Sequence, residues 1–178
     1  MIEKFTPADT ALAEAALETL AAMDDLLAYD GDPSAKASPS ALHAYATDPR
    51  YQPDAPLLHL LAVDDAVQAD FQRLLTNTST YHMPQMAAAS SGDIESREVN
   101  GCKIVFRPSR ADPEQLYAII EITDPELTPS MLFVRHPDGG TDRLELPVFQ
   151  NARAQLLLDR QSSEARGLMD TKAEVYVT

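Results

Sequence analysis

The sequence predicts an α+β fold: a small N-terminal helical bundle followed by a C-terminal antiparallel β-sandwich of immunoglobulin-like or transthyretin-like kind. Three observations predict it. Over the first 76 residues, apolar side chains recur at spacings of three and four, as along one face of a helix. From residue 93 onward, short runs rich in β-branched and aromatic residues alternate with turn signals. Between them, residues 77–92 are polar or small and keep no period. The expected division is an acidic helical domain over 1–76, a linker over 77–92 and a β-sandwich domain over 93–178.

The first helix is expected from Thr6 to Gly31. Thr6-Pro7-Ala8-Asp9 puts a hydroxyl at the N-cap, proline at the first helical position and an acid two residues later. Leu12, Ala16, Leu20, Met23 and Leu27 form its apolar stripe, and Gly31 suits the C′ position. The stretch 31–40 is a Gly, Pro and Ser loop. Ser38-Pro39 then caps a short second helix through Ala41, Leu42 and Tyr45, which must stop near Asp48-Pro49 because a residue before proline avoids the helical region. Another helical run starts near Pro56 with Leu57, Leu60 and Leu61. Asp64 or Asp65 caps a further one carrying Val67, Phe71, Leu74 and Leu75. The pattern is compatible with two helices here or with one that bends. Residues 83–89 retain enough Met and Ala for a short docked helix within the linker.

Asn100-Gly101, a strong two-residue hairpin signal, sits between two strands within Ile94–Phe106. Further strands are expected at Leu116–Ile122, Met131–Arg135, Arg143–Leu146, Ala154–Leu158 and Glu174–Val177. Asp112-Pro113, Asp124-Pro125, Pro137-Asp138-Gly139-Gly140 and Pro147 separate them. A helical turn over 162–169 interrupts the strand pattern. This density of short strands is what predicts a sandwich.

The charge narrows the classes of partner. The chain carries 28 acids against 14 bases, a net charge of −14. Residues 1–92 hold 13 of the acids and only 4 bases, so the helical half is the more acidic. Such a surface disfavours nucleic acid phosphates and anionic membranes and favours a basic protein. The N-terminus lacks the basic segment and apolar run of a secretory signal, and no apolar stretch reaches the roughly 18 residues needed to cross a bilayer. Cytoplasm is the expected location. Nothing in the sequence specifies an oligomeric state.

Signatures of catalysis are few. There is no phosphate-binding glycine loop, no nucleophile elbow and no HExxH pair. His43, His59, His82 and His136 are scattered without a second ligand at helical spacing. The single cysteine, Cys102, allows no internal disulfide and no thiolate cage, and its place before Ile104-Val105-Phe106 suits a buried strand. Paired acids such as Asp24-Asp25 and Asp64-Asp65 diverge by about 100° on a helix, which suits capping and solvation better than a shared site. No catalytic residue, metal ligand or cofactor is expected. An enzyme would need Cys102, His82 or His136 gathered at a junction of the two halves.

His59-Leu60-Leu61-Ala62-Val63-Asp64-Asp65-Ala66, with the helices around it over residues 41–75, resembles the helical domain of cytoplasmic anti-sigma factors. Many of these carry a zinc motif of His, three residues, Cys, two residues, Cys. Here His59 holds the first position and Val63 and Ala66 stand at the two cysteine positions, so zinc is not implied and both are expected as apolar core replacements. The short helix with Leu42 and Tyr45 before it, and Ala69-Asp70-Phe71-Gln72-Arg73-Leu74-Leu75 after it, look similar too.

The resemblance implies a protein-binding regulator whose acidic helices sequester a sigma subunit of RNA polymerase, with no direct contact to nucleic acid. Glu14, Glu18, Asp24, Asp25, Asp64, Asp65 and Asp70 are the expected partner-facing acids. The alternative in the same class is an accessory or adaptor protein for a peptidase, or an immunity protein for a basic toxin.

Overall fold

A computed structural model describes residues 37–86 and 94–178. The expected helix over 6–31, with Glu14, Glu18, Asp24 and Asp25, lies outside the described residues, as does 87–93.

Three helices come first: α1 (Pro39–Thr47), α2 (Ala55–Val63) and α3 (Asp65–Thr78). Proline and aspartate set their ends. Pro39 opens α1, and Asp48, in front of Pro49, leaves the helical region at φ −108°, ψ 109°. Ser38 takes the N-cap place of α1 but makes no side-chain cap; its hydroxyl bonds that of Ser40 instead at 2.7 Å. Asp54 caps α2 by accepting from the Leu57 amide at 3.0 Å. Asp64 ends α2 and starts α3, its carboxylate accepting from the amides of Ala66 and Val67. The run from residue 55 to 78 is therefore two helices hinged at one extended aspartate.

Eight strands follow: β1 (Tyr81–Met83), β2 (Ser96–Val99), β3 (Cys102–Pro108), β4 (Gln115–Ile122), β5 (Met131–Arg135), β6 (Thr141–Glu145), β7 (Arg153–Asp159) and β8 (Glu174–Val177), with a short helix α4 (Ser163–Met169) before β8. β1 lies inside the stretch read as a linker, and three residues seldom carry a strand signal of their own. It forms because Tyr81 to Met83 pair with Val177 to Val175. Asn100-Gly101 turns β2 into β3 with Gly101 at φ 88°. A second tight turn needs no glycine: Asn151 (φ 52°) and Ala152 (φ 62°) reverse the chain while Gln150 and Arg153 exchange both backbone bonds.

Among the described residues the strands form two antiparallel four-stranded sheets, in the orders β1-β8-β5-β6 and β2-β3-β4-β7. The α+β class is as expected, with the three leading helices N-terminal to the strands. Burial separates the sheets. In β3 and β7 exposure alternates along the strand, so one face meets the core. In β5, Met131–Val134 are all buried, as are Val175–Val177 in β8. Leu132, Val134, Val175 and Val177 share one apolar cluster with Ile104, Phe106, Ala118 and Ile120 of the other sheet. On the opposite face, Met131, Phe133 and Tyr176 share a second cluster with Leu42, Tyr45, Leu57, Phe71 and Leu75 of the helices. The first-named sheet is thus an inner layer with both faces covered.

This packing corrects the expectation of a self-standing helical bundle. The described helices close their core on the inner sheet. Tyr45, Phe71 and Phe133 meet at centroid distances of 5.4 to 6.0 Å, two of these contacts edge-on. Arg143 of β6 stacks its guanidinium over Tyr45 at 4.8 Å and donates to the carbonyls of Tyr51 (3.0 Å) and Asp48 (2.7 Å), tying the α1–α2 loop to the sheet.

Candidate functional site

The feature that packing leaves over is on α2. Its sequence, APLLHLLAV, is apolar at every position but His59. A helix of that composition is normally buried all round. Here only Leu57 is fully buried; Leu58 and Leu61 touch the helical core in part, while Leu60 is partly exposed, Ala62 is exposed and Val63 is 61% exposed. The apolar face is bracketed by acids, with Asp54 at one end and Asp64 and Asp65 at the other. Over 37–86 there are five acids, Asp48, Asp54, Asp64, Asp65 and Asp70, against Arg50 and Arg73. Apolar surface inside an acidic rim is the composition of a contact face for a basic protein.

The three described acids among the expected partner-facing residues differ in what they are doing. Asp64 is committed to two backbone amides as a cap. Asp70 is exposed and paired with Arg73, one turn on, which screens it. Asp65 is exposed in the first turn of α3, next to Val63 in sequence. Val63 and Ala66 are not core replacements: both are exposed, because Asp64 breaks the helix between them and turns α3 away. His59 is partly buried on α2. Among the described residues no group of three His, Cys, Asp or Glu is placed to hold a metal.

The residues suggested for chemistry are not brought together. Cys102 is 3% exposed in the cluster between the sheets, and burial pushes its thiol up to about 12, so it is protonated at neutral pH. His82 lies flat on Tyr176, with ring centroids 4.4 Å apart and planes 3° from parallel. Its neighbour Glu174 accepts from Tyr176 Oη at 2.6 Å and from Gln72 Nε2 at 3.0 Å, joining α3 to β8. His136 is elsewhere, at the end of β5, with Nε2 2.6 Å from Asp142 Oδ2. Ser163 Oγ donates to that same carboxylate oxygen and stands 3.4 Å from the imidazole. Serine, histidine and aspartate are all present, but the carboxylate sits between hydroxyl and imidazole. The hydroxyl proton is held by the carboxylate, not by His136, so the trio pins the β5–β6 hairpin to α4 and does not make a nucleophile.

Sequence reasoning missed two arginines that organise the frame. Arg143 is described above. Arg97, on β2, is 1% exposed and donates to the carbonyls of Leu168 (2.7 Å), Ala173 (3.0 Å) and Asp170 around the end of α4. It satisfies carbonyls that a helix end leaves without partners. Burial lowers its pKa from 12.5 to about 10 despite the nearby Asp170. Only the wrong parity, a charge at an inward strand position, could have signalled it.

No helix among the described residues is long and apolar enough to cross a membrane. Comparison with protein-family models, with curated proteins and with solved structures gives no match.

Proposed function

We propose that this chain is a non-enzymatic protein-binding regulator, anti-sigma-factor-like, whose acidic helical half sequesters a basic transcription protein. The observation that carries the reading is α2: nine residues, eight of them apolar, with Val63 61% exposed and aspartates at both ends. Sigma subunits present basic helices to promoter phosphates. An acidic rim attracts such helices over a Debye length, and the apolar strip supplies contact area once they dock. In the cytoplasm the complex would keep those helices from DNA, with no metal or cofactor involved. The shared cluster between the two sheets supports reading the C-terminal half as a β-sandwich, of immunoglobulin-like or transthyretin-like kind, that carries the helices on one outer face.

The test is binding of the purified full chain to each purified sigma subunit of its own organism at low salt. Capture of one of them, lost in Val63→Asp and weakened by salt, is the expected result. Failure with all of them sinks the reading. Retention of a peptidase or a basic toxin under the same conditions would instead place the chain with adaptor or immunity proteins.

A further inference from the structure

Two sheets of four strands have four edges, and three are blunted. β1 is three residues long, and β2 is four long with Arg97 pointing inward and Glu98 paired to Lys103 at 3.0 Å. β6, TDRLE, is charged and lies against α4. Shortness, inward charge and cover are the usual protections of an edge. β7 has none of them over 154–158, AQLLL, and Leu157 is 49% exposed.

The register says which backbone groups β7 leaves open. Ile122 donates to Ala152 and Arg160 donates to Glu114, so the even-numbered residues between them exchange bonds with β4. The odd-numbered residues turn their amides and carbonyls to the free edge. Those of Arg153 are taken by Gln150, and the Asp159 carbonyl accepts from Ser162 at 3.1 Å. Among the described residues, nothing pairs with the edge groups of Gln155 and Leu157.

We propose that a second copy of this chain pairs here, β7 against β7, antiparallel about a two-fold axis at Leu156. Gln155 then faces Leu157 of the second copy and the reverse, closing four backbone bonds. Two residues further out, Arg153 faces Asp159 on both sides of the axis. The strand carries opposite charges at its two ends, so antiparallel self-pairing places unlike charges opposite, whereas parallel pairing would place like against like. Arg153, Gln155, Leu157 and Asp159 all lie on the exposed face, where Tyr117 and Ile119 of β4 flank Leu157 and Gln155. The two outer sheets become one sheet of eight strands with an isologous seam. This surface is separate from α2, and either interface can fail without the other.

Sedimentation equilibrium of the full chain over a concentration series tests the pairing. The intact chain is expected to pass from the monomer mass to twice that mass. Gln155→Pro removes an edge amide while sparing the bonds to β4 and shifts the midpoint by about tenfold or more. Leu157→Lys, at an exposed position, has the same effect. Arg153→Asp weakens the dimer, and adding Asp159→Arg restores it. Circular dichroism checks that each variant is folded, and should Gln155→Pro misfold, Leu157→Lys decides. An intact chain that stays monomeric throughout, or a dimer indifferent to Leu157→Lys, overturns the proposal.

Discussion

Replacing Arg97 with methionine should destabilise the fold by about 3 kcal/mol. The side chain is 1% exposed, and its fork reaches three carbonyls near the end of α4. Methionine fills much of the space but donates nothing. Leaving three buried acceptors without partners costs about 1–3 kcal/mol each, about 6 kcal/mol at the centre of that range. Against this stands relief from burying a charge. The guanidinium falls from 12.5 to about 10, and at about 1.4 kcal/mol per pH unit its removal returns about 3 kcal/mol. The orphaned carbonyls win by about 3 kcal/mol. With a urea slope of about 2 kcal/mol per molar, the unfolding midpoint drops by about 1.5 M. The chain has no Trp, so far-UV circular dichroism is the suitable signal. Arg97→Lys keeps the charge without the planar fork and should fall between the two. A methionine variant as stable as the parent, or more stable, would refute the reasoning. It would mean that desolvation of the arginine outweighs its bonds, a balance that buried charges do sometimes show.

Other consequences can be measured on the same protein. Cys102 should resist a thiol reagent at pH 8 in the folded chain and react at once in urea, since burial holds the thiol near 12. Gly167→Ala should destabilise by about 1–2 kcal/mol in thermal unfolding, because a new Cβ would lie 2.6 Å from Val134 Cγ1 and press on the His136 ring, outweighing the helix propensity gained. Tyr176 is raised to about 12, chiefly by burial and then by its bond to Glu174. The folded state therefore keeps a proton that the unfolded state loses above pH 10. Stability should fall between pH 10 and 12, by up to about 1.4 kcal/mol per pH unit, and Tyr176→Phe should remove that part of the slope in alkaline urea titrations.

Where the chain punctuates itself, the sequence was legible. Pro49 stops α1, Asp64 caps α3, Asn100-Gly101 turns the first hairpin, and Met131–Arg135 and Glu174–Val177 appear as strands with the expected bounds. The continuous apolar run Met131–Val134 shows that a strand is covered on both faces, but not by what. That information is long-range. Tyr45, Phe71 and Phe133 meet only after the helices dock, and this docking replaced the expected bundle. β1 was missed for the same reason, since its pairing with β8 spans most of the described chain. At the candidate site, the acids and the apolar content of α2 could be read directly. The exposure of Val63 and Ala66 could not, because helical periodicity assumed a helix that continues where Asp64 in fact breaks it.

The most direct measurement is the affinity of the full chain for a purified sigma subunit of its organism, taken at two salt concentrations, with the chain unaltered and as Val63→Asp. Val63 is exposed, so the substitution should change folding stability by less than about 0.5 kcal/mol. The expected result is a complex at low salt that weakens as salt screens the acidic rim and that Val63→Asp abolishes. Association that ignores both salt and Val63→Asp, or no association with any sigma subunit at low salt, would contradict the central claim that α2 and its bracketing aspartates form the binding face.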